Sequence, residues 1–184
     1  LIEEQGYICC YCGARIEKEK NTSIEHFLPK EEFPYLDLHY SNLHAVCSGG
    51  RKEREEEKEI VSKLTKREKN KVYPLYCDAF KDDRIISLSP LEENVEEQFW
   101  YDEDGTIYGI TDEAKEAVKK LHLDNKVLNN KRKSIIKEYL SEEFEQFTPE
   151  QWEEEIVQLK QRNQEGKFLP FCFVAKRYIE EFKL

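Results

Sequence analysis

Four groups of residues in the first 81 positions have the types and spacings to do chemistry. Cys9 and Cys12 form a C-x-x-C knuckle, a tight turn that directs two thiolates at one ion. A closed structural zinc needs two further ligands. Cys47 and Cys77 are the best candidates, each near a strand end or a turn. Cys10 is an alternative partner for Cys12 at a poorer chelate spacing, and unrelated core thiols would give the same cysteine count. Glu25-His26 lies in I-E-H-F-L-P-K, an acid directly before a histidine at the end of an alternating run. On a regular strand the two side chains point to opposite faces, so a joint role needs a kink or a loop. Asn42, in Y-S-N-L-H-A-V-C, is of a type that bridges backbone groups and pins loops, or simply makes a turn. Asp78 follows Cys77 in C-D-A-F-K, so a thiolate fixed by zinc would fix that carboxylate too. A hard cation such as Mg²⁺ would take Asp78 and Glu25 through oxygen. Lys81 would then lie near a phosphate.

The elements that must hold these groups are short. Residues 24–27 and 43–47 read as strands, the first ended by Pro29. Residues 51–71 hold nine basic and six acidic side chains, with only Ile60, Val61 and Leu64 as anchors. They read as an exposed helix or a mobile insertion. Residues 98–110 read as a hairpin with its turn over Asp104-Gly105. The period turns helical at Thr111, a predicted N-cap, with Ala114, Val118 and Leu121 on one face. A longer helix follows, with Leu128, Ile135, Tyr139 and Phe147 along one stripe. Thr148, Pro149 and Gln151 then form a capping box that opens a helix ending at Gly166. The apolar segment from Phe168 onward predicts a final helix. The predicted class is α+β: residues 1–110 carry the chemistry, with a charged insertion at 51–71, and residues 111–184 form an appended helical region.

Composition narrows the function classes. The chain has 184 residues, 39 acidic against 29 basic, for a net charge of −10. That balance counts against generic coating of a polyanion. The charge is uneven: residues 51–71 carry +3, 72–111 carry −8 and 112–138 carry +3. The basic islands could face a nucleic acid and the acidic stretch a partner, although solvated helix faces account for each island equally well. Mean hydropathy is −0.82, and no apolar stretch is long enough for a membrane span. Six cysteines are too sparse for a disulfide scaffold, and nothing marks export, so a cytoplasmic protein is expected. The chain has no methionine, and Leu1 to Gln5 reads as the middle of a helix. Both features predict that a natural N-terminal segment precedes Leu1.

Taken in order, Cys9-x-x-Cys12, Glu25-His26, Asn42-Leu43, Cys47 and Cys77-Asp78-x-x-Lys81 resemble the HNH (ββα-metal) nuclease family. Each piece is weak alone, and the ordered set is fairly specific. More closely, the sequence resembles the PtuB-type HNH proteins of Septu and retron anti-phage systems. That likeness rests on E-Q-G-Y with Cys9 to Cys12, Ile24 to Lys30, Tyr40 to Leu43, C-S-G, C-D-A-F-K, and the later Y-D-E-D-G-T-I and L-H-L-D-N-K-V-L-N-N-K-R. It spans roughly residues 4–133. Tyr76 departs from it, standing where many relatives place a histidine, and so does the charged insertion between Cys47 and Cys77.

The resemblance implies a zinc-stapled ββα-metal core and a metal-dependent endonuclease acting on nucleic acid, DNA first. It implies that His26 is the general base, that Glu25 and Asp78 hold Mg²⁺ or Mn²⁺, and that Asn42 pins the loop that aims His26. Cys9, Cys12, Cys47 and Cys77 would carry the structural zinc, and Lys30 and Lys81 would contact nucleic acid. The implied partner is a PtuA-like ATPase, joined in a retron setting by a reverse transcriptase and its reverse-transcribed DNA. Two rival readings are a zinc-stapled binding subunit without catalysis and an HNH nuclease acting on RNA such as tRNA.

Overall fold

Alternation builds the first sheet. In the computed structural model, which describes residues 1–184, β1 (Thr22–His26) pairs antiparallel with β2 (Leu43–Cys47). The register sets Glu25 opposite His44 and Thr22 opposite Cys47. Ala45, Val46 and Cys47 of β2 are buried, while β1 turns Ile24 to solvent and Glu25 inward. Directly opposite residues on an antiparallel pair share a face, so Glu25 and His44 enter the interior together.

The chain then makes an excursion of three short helices, α1 (Arg51–Glu56), α2 (Lys58–Lys63) and α3 (Lys66–Val72). Val61 is the one buried residue in these helices. α3 opens on a complete capping box, in which Thr65 and Glu68 satisfy each other's backbone N–H groups. The two ends of the excursion meet. Tyr76 N–H donates to Gly49 O at 3.0 Å, and Gly49 and Gly50 are both left-handed, with φ of 58° and 84°. A Cβ on either glycine would run into the carbonyl oxygens of Tyr76 or Pro74. Directly after this closure comes α4 (Asp78–Lys81), a single turn that starts at Cys77.

A second hairpin, β3 (Phe99–Tyr101) and β4 (Ile107–Gly109), turns through Asp102 to Gly105. Four longer helices follow: α5 (Asp112–Lys120), α6 (Lys126–Glu138), α7 (Pro149–Leu159) and α8 (Cys172–Phe182). The caps read from sequence form as expected. Thr111 accepts from Ala114 N, and Thr148 and Gln151 complete their box. Three expectations differ. α6 stops at Glu138, so Phe147 lies beyond it and packs on Trp152 and Phe144. α7 ends at Leu159, and Gly166 belongs instead to a turn organised by Asn163. Leu1 to Gln5 makes one turn only, because Gly6 and Tyr7 are left-handed and stop it.

The architecture is mixed α+β, with two small two-stranded sheets and helices around them. One core runs from the four cysteines Cys9, Cys12, Cys47 and Cys77 through Ile16 and Val46 to Leu128 of α6 and Val174 and Tyr178 of α8. The sulfurs and the helical region are therefore packed as one body. A second cluster gathers Trp152, Ile156, Leu159 and Ile179. No helix is long and apolar enough to cross a membrane.

Candidate functional site

Four cysteines from three distant segments converge. Cys9 and Cys12 come from the knuckle, Cys47 from the end of β2, and Cys77 from the residue that starts α4. Their sulfurs all lie within 4.8 Å of one another, and all four residues are buried. Cys9 Sγ is 3.9 Å from Cys77 Sγ, and Cys12 Sγ is 3.8 Å from Cys47 Sγ. A tetrahedral ion with metal–sulfur bonds of 2.3 Å needs sulfur–sulfur edges of about 3.8 Å, so the cluster fits a metal such as zinc. Burial, reinforced by the other sulfurs, pushes the Cys77 thiol well above its ordinary value. Four thiolates this close cannot ionise together without a central cation to offset their mutual repulsion. Cys10, the alternative ligand, is outside the cluster. It is only half-buried, and its backbone N–H bonds to Ala45 O at 3.3 Å.

The cluster sits next to an acidic pair. Cys77 leads into α4, whose first residue, Asp78, stands beside the Glu25 carboxylate. Burial, with the neighbouring Asp78 carboxylate adding to it, raises Glu25 to about 7, against the pull of Lys81. Oε1 of Glu25 is heavily used. Tyr11 Oη donates to it at 2.8 Å, and Lys81 Nζ is 2.8 Å away. Oδ2 of Asp78 is paired with Arg51 at 2.7 Å. The carboxyls of Glu25 and Asp78 thus neighbour each other, and paired carboxylates are the donor type that suits a hard divalent cation.

His26 closes β1, and its side chain is held by the loop that follows. Its Nε2 is 3.0 Å from both the carbonyl oxygen and Oδ1 of Asp37. With Nε2–H donated there, Nδ1 is left as the free acceptor. The loop that carries Asp37 is held by Asn42, which is buried at 4 % exposure. Asn42 Oδ1 accepts from Leu28 N at 2.8 Å, and Nδ2 donates to Leu28 O at 3.0 Å and Leu36 O at 3.3 Å. Its own carbonyl accepts from Phe27 N at 2.9 Å. One side chain therefore spans the loop from both ends.

The two candidate lysines differ in placement. Lys30 is exposed on the loop after Pro29. Lys81 is almost wholly buried, with its ammonium on Glu25 and 3.3 Å from His26 O. In this position it neutralises a carboxylate and does not reach the surface. Three residues of the site were missed by sequence reasoning. Tyr11 lies within the knuckle and Asp37 in the loop, and nothing local marks either one. His44 was visible within L-H-A-V-C. Its Nε2 is buried without a partner, and burial followed by the Lys81 charge lowers its pKa.

No family model matches the chain. Over 48 residues the chain is 40% identical to the Septu protein PtuB of Bacillus thuringiensis, a stretch covering 26% of this chain and 19% of that protein. Over that stretch the similarity supports a Septu-like relationship.

Proposed function

We propose that the chain is a metal-dependent HNH endonuclease that hydrolyses phosphodiester bonds of DNA as the effector subunit of a cytoplasmic anti-phage complex. The observation that carries this reading is the link from sulfur cluster to acidic pair. A metal held by Cys9, Cys12, Cys47 and Cys77 would clamp the start of α4, and the residue so clamped, Asp78, stands beside Glu25.

The residues support a division of labour. Asp37 engages Nε2 of His26 and leaves Nδ1 to take a proton from the attacking water. Asn42 holds the loop that fixes this orientation. Lys81 pulls the buried Glu25 toward its charged form, against burial and Asp78. Glu25 and Asp78 would hold Mg²⁺ or Mn²⁺, which when bound offsets charge on the phosphate and the leaving oxygen. Zinc held by the four thiolates would be structural, because four protein ligands complete its usual set. The match to PtuB favours a PtuA-like ATPase as partner, joined in a retron setting by a reverse transcriptase and its DNA.

A second reading is a metal-stapled binding subunit without catalysis, and the Lys81 ammonium already seated on Glu25 favours it. The two separate in one experiment. Wild type and His26→Ala, each with the ATPase partner, are given labelled DNA and labelled RNA with Mg²⁺ or Mn²⁺. A nuclease loses roughly 10²–10⁴-fold in rate with His26→Ala, at equal metal content and partner binding. Equal behaviour of the two proteins would leave only the binding subunit, and a rate confined to the RNA arm would move the substrate from DNA to RNA.

A further inference from the structure

The charged excursion between Cys47 and Cys77 touches the site so far described through Arg51, which sits on Asp78. Its charge is not spread evenly. Residues 60–71 hold five basic side chains and one acidic one, in a chain whose net charge is −10. That single acid, Glu68, is consumed by the capping box with Thr65. α3 therefore displays lysines with no free acid of its own. Lys66, Lys69 and Asn70 recur at helical spacing and lie on one side of it. They line a cleft of about 460 Å³, closed by Arg54 of α1 and by Phe80 and Asp82 at α4.

Three cations, Arg54, Lys66 and Lys69, line this cleft, and none makes an ion pair, although acids outnumber bases 39 to 29 in the chain. Arg54 is half-buried and pre-set. Its Nε donates to Tyr73 O at 2.8 Å and one terminal nitrogen to Asn70 Oδ1 at 3.0 Å, leaving the other terminal nitrogen free. The position matters as much as the charge. α4 separates the cleft from the acidic pair: Asp78 and Lys81 face Glu25, while Ala79 and Phe80 wall the cleft. One helix diameter is about 10 Å. Arg51, one turn before Arg54 on α1, sits on Asp78, so the cations form a row that starts at Asp78 and leads to the cleft.

We infer that the excursion is a phosphate grip: the Arg54–Lys66–Lys69 cleft binds a backbone phosphate of the nucleic acid whose neighbouring phosphodiester lies at Glu25 and Asp78. Guanidinium and ammonium groups suit phosphate oxygens, the first by its fork and the second as point charges. An acidic peptide would satisfy the same cations, but the row ends at the acidic pair, which favours a substrate running past both. This inference rests on the nuclease reading for its polarity, and its test does not depend on cleavage.

The test measures salt-dependent binding of labelled DNA by the full chain carrying His26→Ala. In that background Lys66→Gln/Lys69→Gln is compared with Lys126→Gln/Lys131→Gln, an exposed pair on α6. The cleft pair should weaken binding roughly tenfold at low salt and lower the slope of log affinity against log salt by about 0.9, the share of the one phosphate the cleft holds. The α6 pair should change neither. Sulfur-bound metal content should match the parent in both variants, because neither pair touches the cluster. Three results would overturn the grip: an unchanged slope in the cleft pair, an equal loss in the α6 pair, or polyglutamate competing as well as DNA does. Loss of binding in the cleft pair, beside a wild type that cleaves nothing, would uphold the grip and sink the nuclease reading.

Discussion

Lys81 Nζ stands 2.8 Å from Glu25 Oε1, and the two side chains are only 1 and 4 % exposed. Taking both charges out of water costs several kcal/mol each, and their attraction returns this only with further hydrogen bonds in place. Tyr11 and the His26 carbonyl supply them. Breaking the pair from one side leaves an unmatched buried charge. Lys81→Met should therefore destabilise the protein by about 3–5 kcal/mol, read from chemical denaturation. The double change Lys81→Met/Glu25→Gln should recover much of that loss. If the single and double variants are equally unstable, the pair is not coupled.

Glu25 also sets a pH dependence. Burial and the adjacent Asp78 hold its carboxyl at about 7, above the ordinary 4.5. An acid raised in the folded state binds more protons there than when unfolded, so metal-free protein should lose stability as pH rises from 4.5 through about 7. For metal the sign reverses, because a proton on Glu25 must leave before a cation can use it. The Mn²⁺ concentration needed for half-maximal cleavage should rise as pH falls from about 8 to about 6. A constant requirement across that range would mean that Glu25 is not a ligand.

Asn42 should be costly to replace for a mechanical reason. Its amide makes three hydrogen bonds to the loop backbone from a buried position. Asn42→Ala leaves Leu28 N–H and Leu28 O without partners, a penalty of about 1–3 kcal/mol. On the proposed nuclease reading it should also lower cleavage by less than His26→Ala does, because His26 stays in place and only its aim loosens. Asn42→Asp keeps the acceptor for Leu28 N–H and should fall between wild type and Asn42→Ala in thermal melting.

The sulfur cluster predicts one tightly held metal ion per chain, measurable by elemental analysis. Cys9→Ser or Cys47→Ser should lose it and reduce solubility, since the binding energy of a structural metal is folding energy. Chelation should lower the melting temperature of wild type and leave Cys47→Ser nearly unchanged. A metal-free wild type of full stability would contradict this.

What could be read from the sequence follows from how local each signal is. The strand at Leu43–Cys47 and the caps at Thr111 and Thr148 depend on a few adjacent residues, and all three form where expected. The cysteine set was legible because thiol chemistry narrows the choice of partners, even across the excursion. The contact of Lys81 with Glu25, and of Asp37 with His26, depends on how loops and one-turn helices fold back. No spacing rule reports that. The end of α6 was missed for a similar reason: no glycine or proline marks it, and the apolar period runs on to Phe147 after the helix has stopped.

The glycine closure at Gly49 and Gly50 carries a consequence for how such proteins can diverge. Because Tyr76 is bonded straight back to Gly49, the chain between them begins and ends at one place. The entropy of closing such a segment grows only slowly with its length. Residues could be added or lost there while Cys47 and Cys77 stay in register, provided both glycines remain. Lineages could thus exchange the outer helices and inherit the cysteine cluster and the Glu25–Asp78 pair unchanged.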